Sequence, residues 1–222
     1  DYKYPENRIK QFVSVPMGSE TKEADIVVYK DDMCLIPYIL VECKKQEVSE
    51  AEFQQAIGQA YSYAFAMAGE VKYVWVTSGI KSDFFEVDQT SNSRNQLPDI
   101  PQFGVTSVAS YKYVYDAQYL PEESGKQRFF DLSVIDQSEL TRRFKQAHEA
   151  LWAGGQLNPS EAFDELDKLI FCKIWDERKP RRMGEPYDFQ IITVPKEVEK
   201  SETKRRLIEN DNLYKRVMAL YE

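Results

Sequence analysis

Two short β-branched runs constrain this chain most. Ala24 to Tyr29 (ADIVVY) and Tyr38 to Lys44 (YILVECK) are separated by a segment that begins Lys30-Asp31-Asp32. Runs of this length bounded by turn residues read as buried strands, with Asp31 and Asp32 supplying the turn after the first. Ser49-Glu50-Ala51-Glu52 then fits a capping box, and Phe53, Ile57, Ala60 and Ala64 recur at helical spacing. One amphipathic helix is expected over Glu50 to Ala68, with Gly69 at its C′ position. Lys72 to Thr77 reads as a third strand and Asp83 to Val87 as a fourth. The order strand, strand, helix, strand predicts an α/β fold, a mixed sheet with helices on its faces.

The second half has a different texture. Ser91 to Pro101 is polar with two prolines and reads as a loop. Ser138 to Trp152 reads as a helix ending at Gly154-Gly155. Asn158 is the expected N-cap of another, with Pro159 in its first turn and Phe163, Leu166, Ile170 and Ile174 as its buried stripe. A last helix is expected over Asn212 to Tyr221. Composition therefore shifts near residue 137, which divides the chain into 1–137 and a helical extension over 138–222. Both ends read as cut from a longer polypeptide.

Several function classes fall away. The three cysteines, Cys34, Cys43 and Cys172, are far apart and lack CxxC spacing, so a disulfide framework or zinc site is not expected, and a reducing cytoplasm fits. His148 is the sole histidine, which excludes chemistries that need two or more. No apolar run reaches the 18 residues of a membrane span, so no membrane partner is expected. The net charge of −8 argues against a surface that grips nucleic acid everywhere, though not against a local acidic metal site. The basic cluster Arg178, Lys179, Arg181 and Arg182 reads either as a phosphate contact or as a solvated loop. Trp75 reads as core, and Trp152 and Trp175 as helix-packing residues.

The residues that carry chemistry lie on the first two strands. Side chains alternate along a strand, so Glu42 and Lys44 share a face. Hairpin pairing can bring Asp25 beside Glu42. Charge on a buried strand is costly unless paired or metal-bound. Phosphodiester hydrolysis needs a divalent cation on hard oxygen ligands, an activated water and positive charge near the phosphate. Asp25 and Glu42 can supply the oxygens and Lys44 the charge. The same residues also fit a solvated strand end with Asp25 in a turn.

Asp25, followed 17 residues later by Glu42-Cys43-Lys44, resembles the PD-(D/E)xK nuclease superfamily, and more closely the N-terminal nuclease domain of type I restriction-enzyme R subunits. Gln59 and Tyr63 match a Gln-x-x-x-Tyr element that this family carries on the helix after the ExK strand. Tyr4-Pro5, Gly18-Ser19 and Thr77-Ser78-Gly79 are also similar. The resemblance implies a restriction-endonuclease-like fold over 1–137. It implies Asp25 and Glu42 as ligands of Mg²⁺, for which Mn²⁺ can substitute, helped by the Cys43 carbonyl. Lys44 would position or polarise the water, and Gln59 would support the site or contact DNA. Ala24 stands where the formal motif has proline, and the acidic residue that many members place on a preceding helix is not identifiable.

A second resemblance runs from Leu157 to Leu166 and on to Asp176-Glu177-Arg178. It is similar to the helical lead-in of N6-adenine methyltransferases of restriction-modification systems. The chain has no glycine-rich SAM loop, no NPPY-type tetrapeptide and no GxxxxGK(S/T), so SAM or ATP would act only through other domains. Together the resemblances imply part of a fused restriction-modification enzyme that cuts double-stranded DNA alongside methyltransferase and specificity domains or subunits. A nuclease-fold module without cleavage, serving DNA binding or assembly, is the alternative.

Overall fold

A computed structural model of the chain describes residues 2–67, 71–88, 93–105, 107–153 and 157–221. Its packing divides into two compact units, one built from 1–110, 122–128 and 193–205, the other from 111–121, 129–192 and 206–222.

The first unit is a six-stranded mixed sheet with strand order β1-β2-β3-β4-β5-β6: β1 (Ile9–Met17), β2 (Glu20–Tyr29), β3 (Pro37–Cys43), β4 (Tyr73–Thr77), β5 (Ser82–Asp88) and β6 (Ser93–Leu97). Only the β3–β4 pair is parallel. Its crossover is α1 (Glu50–Ala66), as a parallel connection requires. The Ser49 hydroxyl accepts from the Glu52 N–H, and the Glu52 carboxylate accepts from the Ser49 N–H, so the expected capping box closes. The expected helix end at Ala68 and its C′ Gly69 lie outside the described residues.

Helix α1 packs on β1, β3 and β4. Phe53, Ile57, Ala60 and Ala64 meet Leu40, Val74, Val76 and Phe85 of the sheet in one core cluster. The opposite face carries Val28, Ile39, Val41, Tyr73, Phe84 and Ile100, covered by Tyr2 and Tyr4. The Tyr2 hydroxyl donates to Asp99 and the Tyr4 hydroxyl to the Pro101 carbonyl, which fixes both covering segments. Asp31 ends the β2 strand as expected, its carboxylate accepting from the Leu35 and Ile36 N–H groups.

Two strands escaped the sequence reading. β1 is an edge strand in which only Val15 is buried, so its alternation is faint. It joins β2 through a two-residue turn in which Gly18 adopts φ 64°, a conformation that suits glycine. The segment expected to be a loop over 91–101 contains β6. Its sequence Ser-Arg-Asn-Gln-Leu has no β-branched residue, and pairing with β5 makes it a strand. Buried Asn95 receives a hydrogen bond from buried Arg205, whose guanidinium also donates to the Glu199 and Lys200 carbonyls.

The second unit holds α2 (Gln137–Ala153), α3 (Pro159–Arg178) and most of α4 (Glu202–Tyr221), with α2 packed on α3. The expected stop at Gly154-Gly155 lies outside the described residues. The Asn158 cap forms as expected, reciprocated by Glu161. The expected buried stripe of α3 forms only in part, with Leu166 buried and Ile170 half-buried. Ala162, Leu166, Cys172 and Asp176 face inward, while Phe163 and Ile174 are exposed. Trp152 and Trp175 are 50% and 60% exposed, so neither is a buried helix-packing residue. The last helix begins ten residues before its expected start, at Glu202.

Two of the four basic side chains at the C-terminal end of α3, Lys179 and Arg181, are engaged inside the unit, while Arg178 and Arg182 are exposed. Arg181 is fully buried and pairs with Asp176, with its guanidinium over the Tyr187 ring. Asp176 also accepts from the Asp188 and Phe189 N–H groups, and Lys179 pairs with Asp188. Among the described residues no helix is long and apolar enough to cross a membrane.

Candidate active site

The alternation of β2 slips at Asp25. Ala24, Val27 and Tyr29 pack in the cluster under α1, whereas Ile26 and Val28 pack on the opposite face. Across β1, Phe12 has φ 53° and stands between the pairs Gln11–Ile26 and Val13–Ala24. Such irregularities re-aim a side chain. The β2–β3 ladder reaches Ile26–Val41, and just past it the Asp25 carboxylate takes over, its Oδ2 accepting from the Cys43 N–H at 2.6 Å. On the other side of β3, the Lys44 N–H donates to the Thr77 carbonyl at 2.7 Å. Asp25 and β4 thus clamp the end of β3 from both sides.

That clamp sets Glu42. Its side chain is 3% exposed, and Oε1 accepts from Lys44 Nζ at 2.7 Å. Its other oxygen, Oε2, is buried with no hydrogen-bond partner. A buried carboxylate oxygen without a donor is expensive. Burial pushes the Glu42 carboxyl above the usual carboxylate range, and the negative charge of Asp25 adds to this while Lys44 opposes it. Burial works against the Lys44 ammonium too. Its hydrogen bond to Glu42 and the charges of Glu42 and Asp25 outweigh that and hold it above the ordinary lysine value. Burial, followed by the same two carboxylates, pushes the exposed Cys43 thiol up.

Asp25, Glu42, Cys43 and Lys44 are therefore brought together. Gln59 is one step removed. It is exposed on α1, and its Nε2 donates to the buried Tyr63 hydroxyl at 2.6 Å.

The donor set suits a hard divalent cation. Asp25 and Glu42 offer carboxylate oxygens, and Oε2 of Glu42 lacks any other partner. Among the described residues there is no cluster of three or more acidic, histidine or cysteine side chains that could hold a metal. Mg²⁺ is commonly held by one or two carboxylates plus water.

A family model described as the type I restriction enzyme R protein N terminus matches residues 1–101, a little under half of the chain. The matched span contains all six strands, α1 and every site residue named above. No curated protein matches the chain.

Proposed function

We propose that the sheet unit is a divalent-metal-dependent endonuclease that hydrolyses DNA phosphodiester bonds within a restriction-modification system. The single observation that carries this reading is the buried, unpartnered Oε2 of Glu42 beside Asp25 and Lys44. An ionised carboxylate held there at a cost is offset when a cation binds it. The match of residues 1–101 to the R-protein N terminus supports the same reading.

Asp25 and Glu42 would hold Mg²⁺ or Mn²⁺, with the Cys43 carbonyl as a further oxygen. When bound, the cation supplies Lewis-acid stabilisation of the phosphate and lowers the pKa of water. Lys44, charged throughout the neutral range, orients the attacking water and offsets charge that builds on the phosphate. Tyr63 and Gln59 would form a hydrogen-bonded support on α1, the helix packed over β3. Recognition of sequence is assigned to other domains or subunits, and any need for SAM or ATP lies with them.

A second reading is a nuclease fold without cleavage. It is favoured by the fact that each carboxylate already has one oxygen engaged within the chain. The test is cleavage of unrelated DNA duplexes by this chain across a salt series, with Mg²⁺, Mn²⁺ or chelator. Weak cutting without sequence preference, absent in chelator and steeply reduced by salt, is expected, because a net charge of −8 makes unaided DNA binding poor. Binding without any cutting would establish the second reading. A discrete sequence-set band pattern would place recognition within this chain.

A further inference from the structure

Helix α3 is apolar on two sides. One side is buried in its own unit through Ala162, Leu166 and Cys172. The other presents Phe163 at 55%, Phe171 at 69%, Ile174 at 41% and Trp175 at 60% exposure. A helix satisfied by one packing partner carries a single apolar stripe, so a second one marks a contact surface.

The charges on that second face have an order. Asp164, Phe171 and Arg178 are spaced by seven residues, so they fall on one row along the helix, with the aromatic ring midway between the two charges. Asp164 and Arg178 are both exposed, and neither forms an ion pair among the described residues. By contrast Glu165 is held by Lys168, and Glu177 by Lys173. The acidic and basic ends of the row thus remain available.

We propose that α3 pairs antiparallel with α3 of a second copy of this chain, with Phe171 against the partner's Phe171 on the two-fold axis. In that register Asp164 meets the partner's Arg178, and Arg178 meets the partner's Asp164. A two-fold interface is self-complementary by construction, and a row that reads acid, aromatic, base about its centre is self-complementary only when antiparallel. In the parallel arrangement acid would face acid and base would face base. The flanking Phe163, Ile174 and Trp175 add apolar surface on either side of the axis. One helix face per chain is less than the roughly 800 Å² per partner of a standard interface, so the pairing is weak and concentration-dependent.

The experiment is sedimentation velocity on the whole chain from about 1 to about 200 µM, a range that spans a micromolar dissociation constant. Circular dichroism monitors the helices of each variant. The weight-average mass is expected to rise from one chain towards two over this range. Phe171→Asp should hold it at one chain throughout. Asp164→Arg and Arg178→Asp should each weaken association at least tenfold, because each sets like charges against one another twice per dimer. The double variant Asp164→Arg/Arg178→Asp should restore wild-type association. A wild type that stays at one chain at every concentration overturns the proposal. Association that survives Phe171→Asp overturns it too. Single charge variants that weaken association without recovery in the folded double variant exclude this register and overturn it as well. Mixing the two single variants provides an independent check, since their opposed charges should form a mixed dimer more tightly than either forms alone.

Discussion

Two acid–base pairs, each built around a buried carboxylate, follow opposite principles. In the helical unit, Asp176 faces fully buried Arg181 and also accepts from the Asp188 and Phe189 N–H groups, so both carboxylate oxygens have donors. In the sheet unit, Glu42 faces Lys44 through one oxygen and leaves the other with none. The first pair is complete and closes a turn of chain onto the end of a helix. The second is incomplete within the chain, and Asp25 beside it adds more negative charge. A satisfied buried pair holds a fold, whereas the open oxygen of Glu42 is what the proposed metal site would use.

The largest expected effect separates the two by activity. Asp25→Ala, Glu42→Ala and Lys44→Ala should each reduce Mg²⁺-dependent cleavage to background, a loss of at least about a thousandfold if the cation supplies several kcal/mol. Circular dichroism should show each variant folded. Wild-type cleavage by any of the three would remove that residue from the site.

The same comparison inverts for stability. Asp176→Ala leaves Arg181 charged, buried and without its carboxylate, and should cost about 3–5 kcal/mol in urea unfolding. Glu42→Gln should leave metal-free stability unchanged or raise it by up to about 1 kcal/mol, because burial and the charge of Asp25 outweigh the attraction of Lys44 for this carboxylate. Equal destabilisation by the two substitutions would mean that both pairs are structural.

A smaller effect is expected one step out. Gln59→Ala should lower cleavage about tenfold and at most about a hundredfold, since its hydrogen bond goes to Tyr63 and not to Asp25, Glu42 or Lys44. Loss as complete as that of Glu42→Ala would give the amide a direct role in catalysis.

The two regions also differed in how legible they were. Strands β2, β3 and β4 and helix α1 could be read because their apolar patterns and the Ser49 capping box are local signals. The Asp25–Glu42–Lys44 grouping followed from strand alternation together with motif spacing. The slip at Asp25, which lies opposite the positive φ of Phe12, did not, because no local sequence signal marks it. Strand β6 was hidden because its pairing with β5 overrides a polar sequence, and its buried Asn95 is held by an arginine 110 positions later. On α3, both apolar rows satisfy a helical period, so sequence alone could not choose which one faces inward. Likewise Arg181 looked like part of a surface basic run until the fold turned it onto Asp176. The return of 122–128 and 193–205 to the sheet unit leaves no compositional mark.

The most direct test of the central claim is a Mn²⁺ titration of the chain, followed by electron paramagnetic resonance and calorimetry, on wild type, Asp25→Asn, Glu42→Gln and Asp176→Asn. The account predicts Mn²⁺ binding in wild type that Mg²⁺ displaces. That binding should be lost in Asp25→Asn and Glu42→Gln, and retained in the folded fraction of Asp176→Asn. Binding of equal affinity in wild type and Glu42→Gln, or none in wild type at millimolar Mn²⁺, would contradict it.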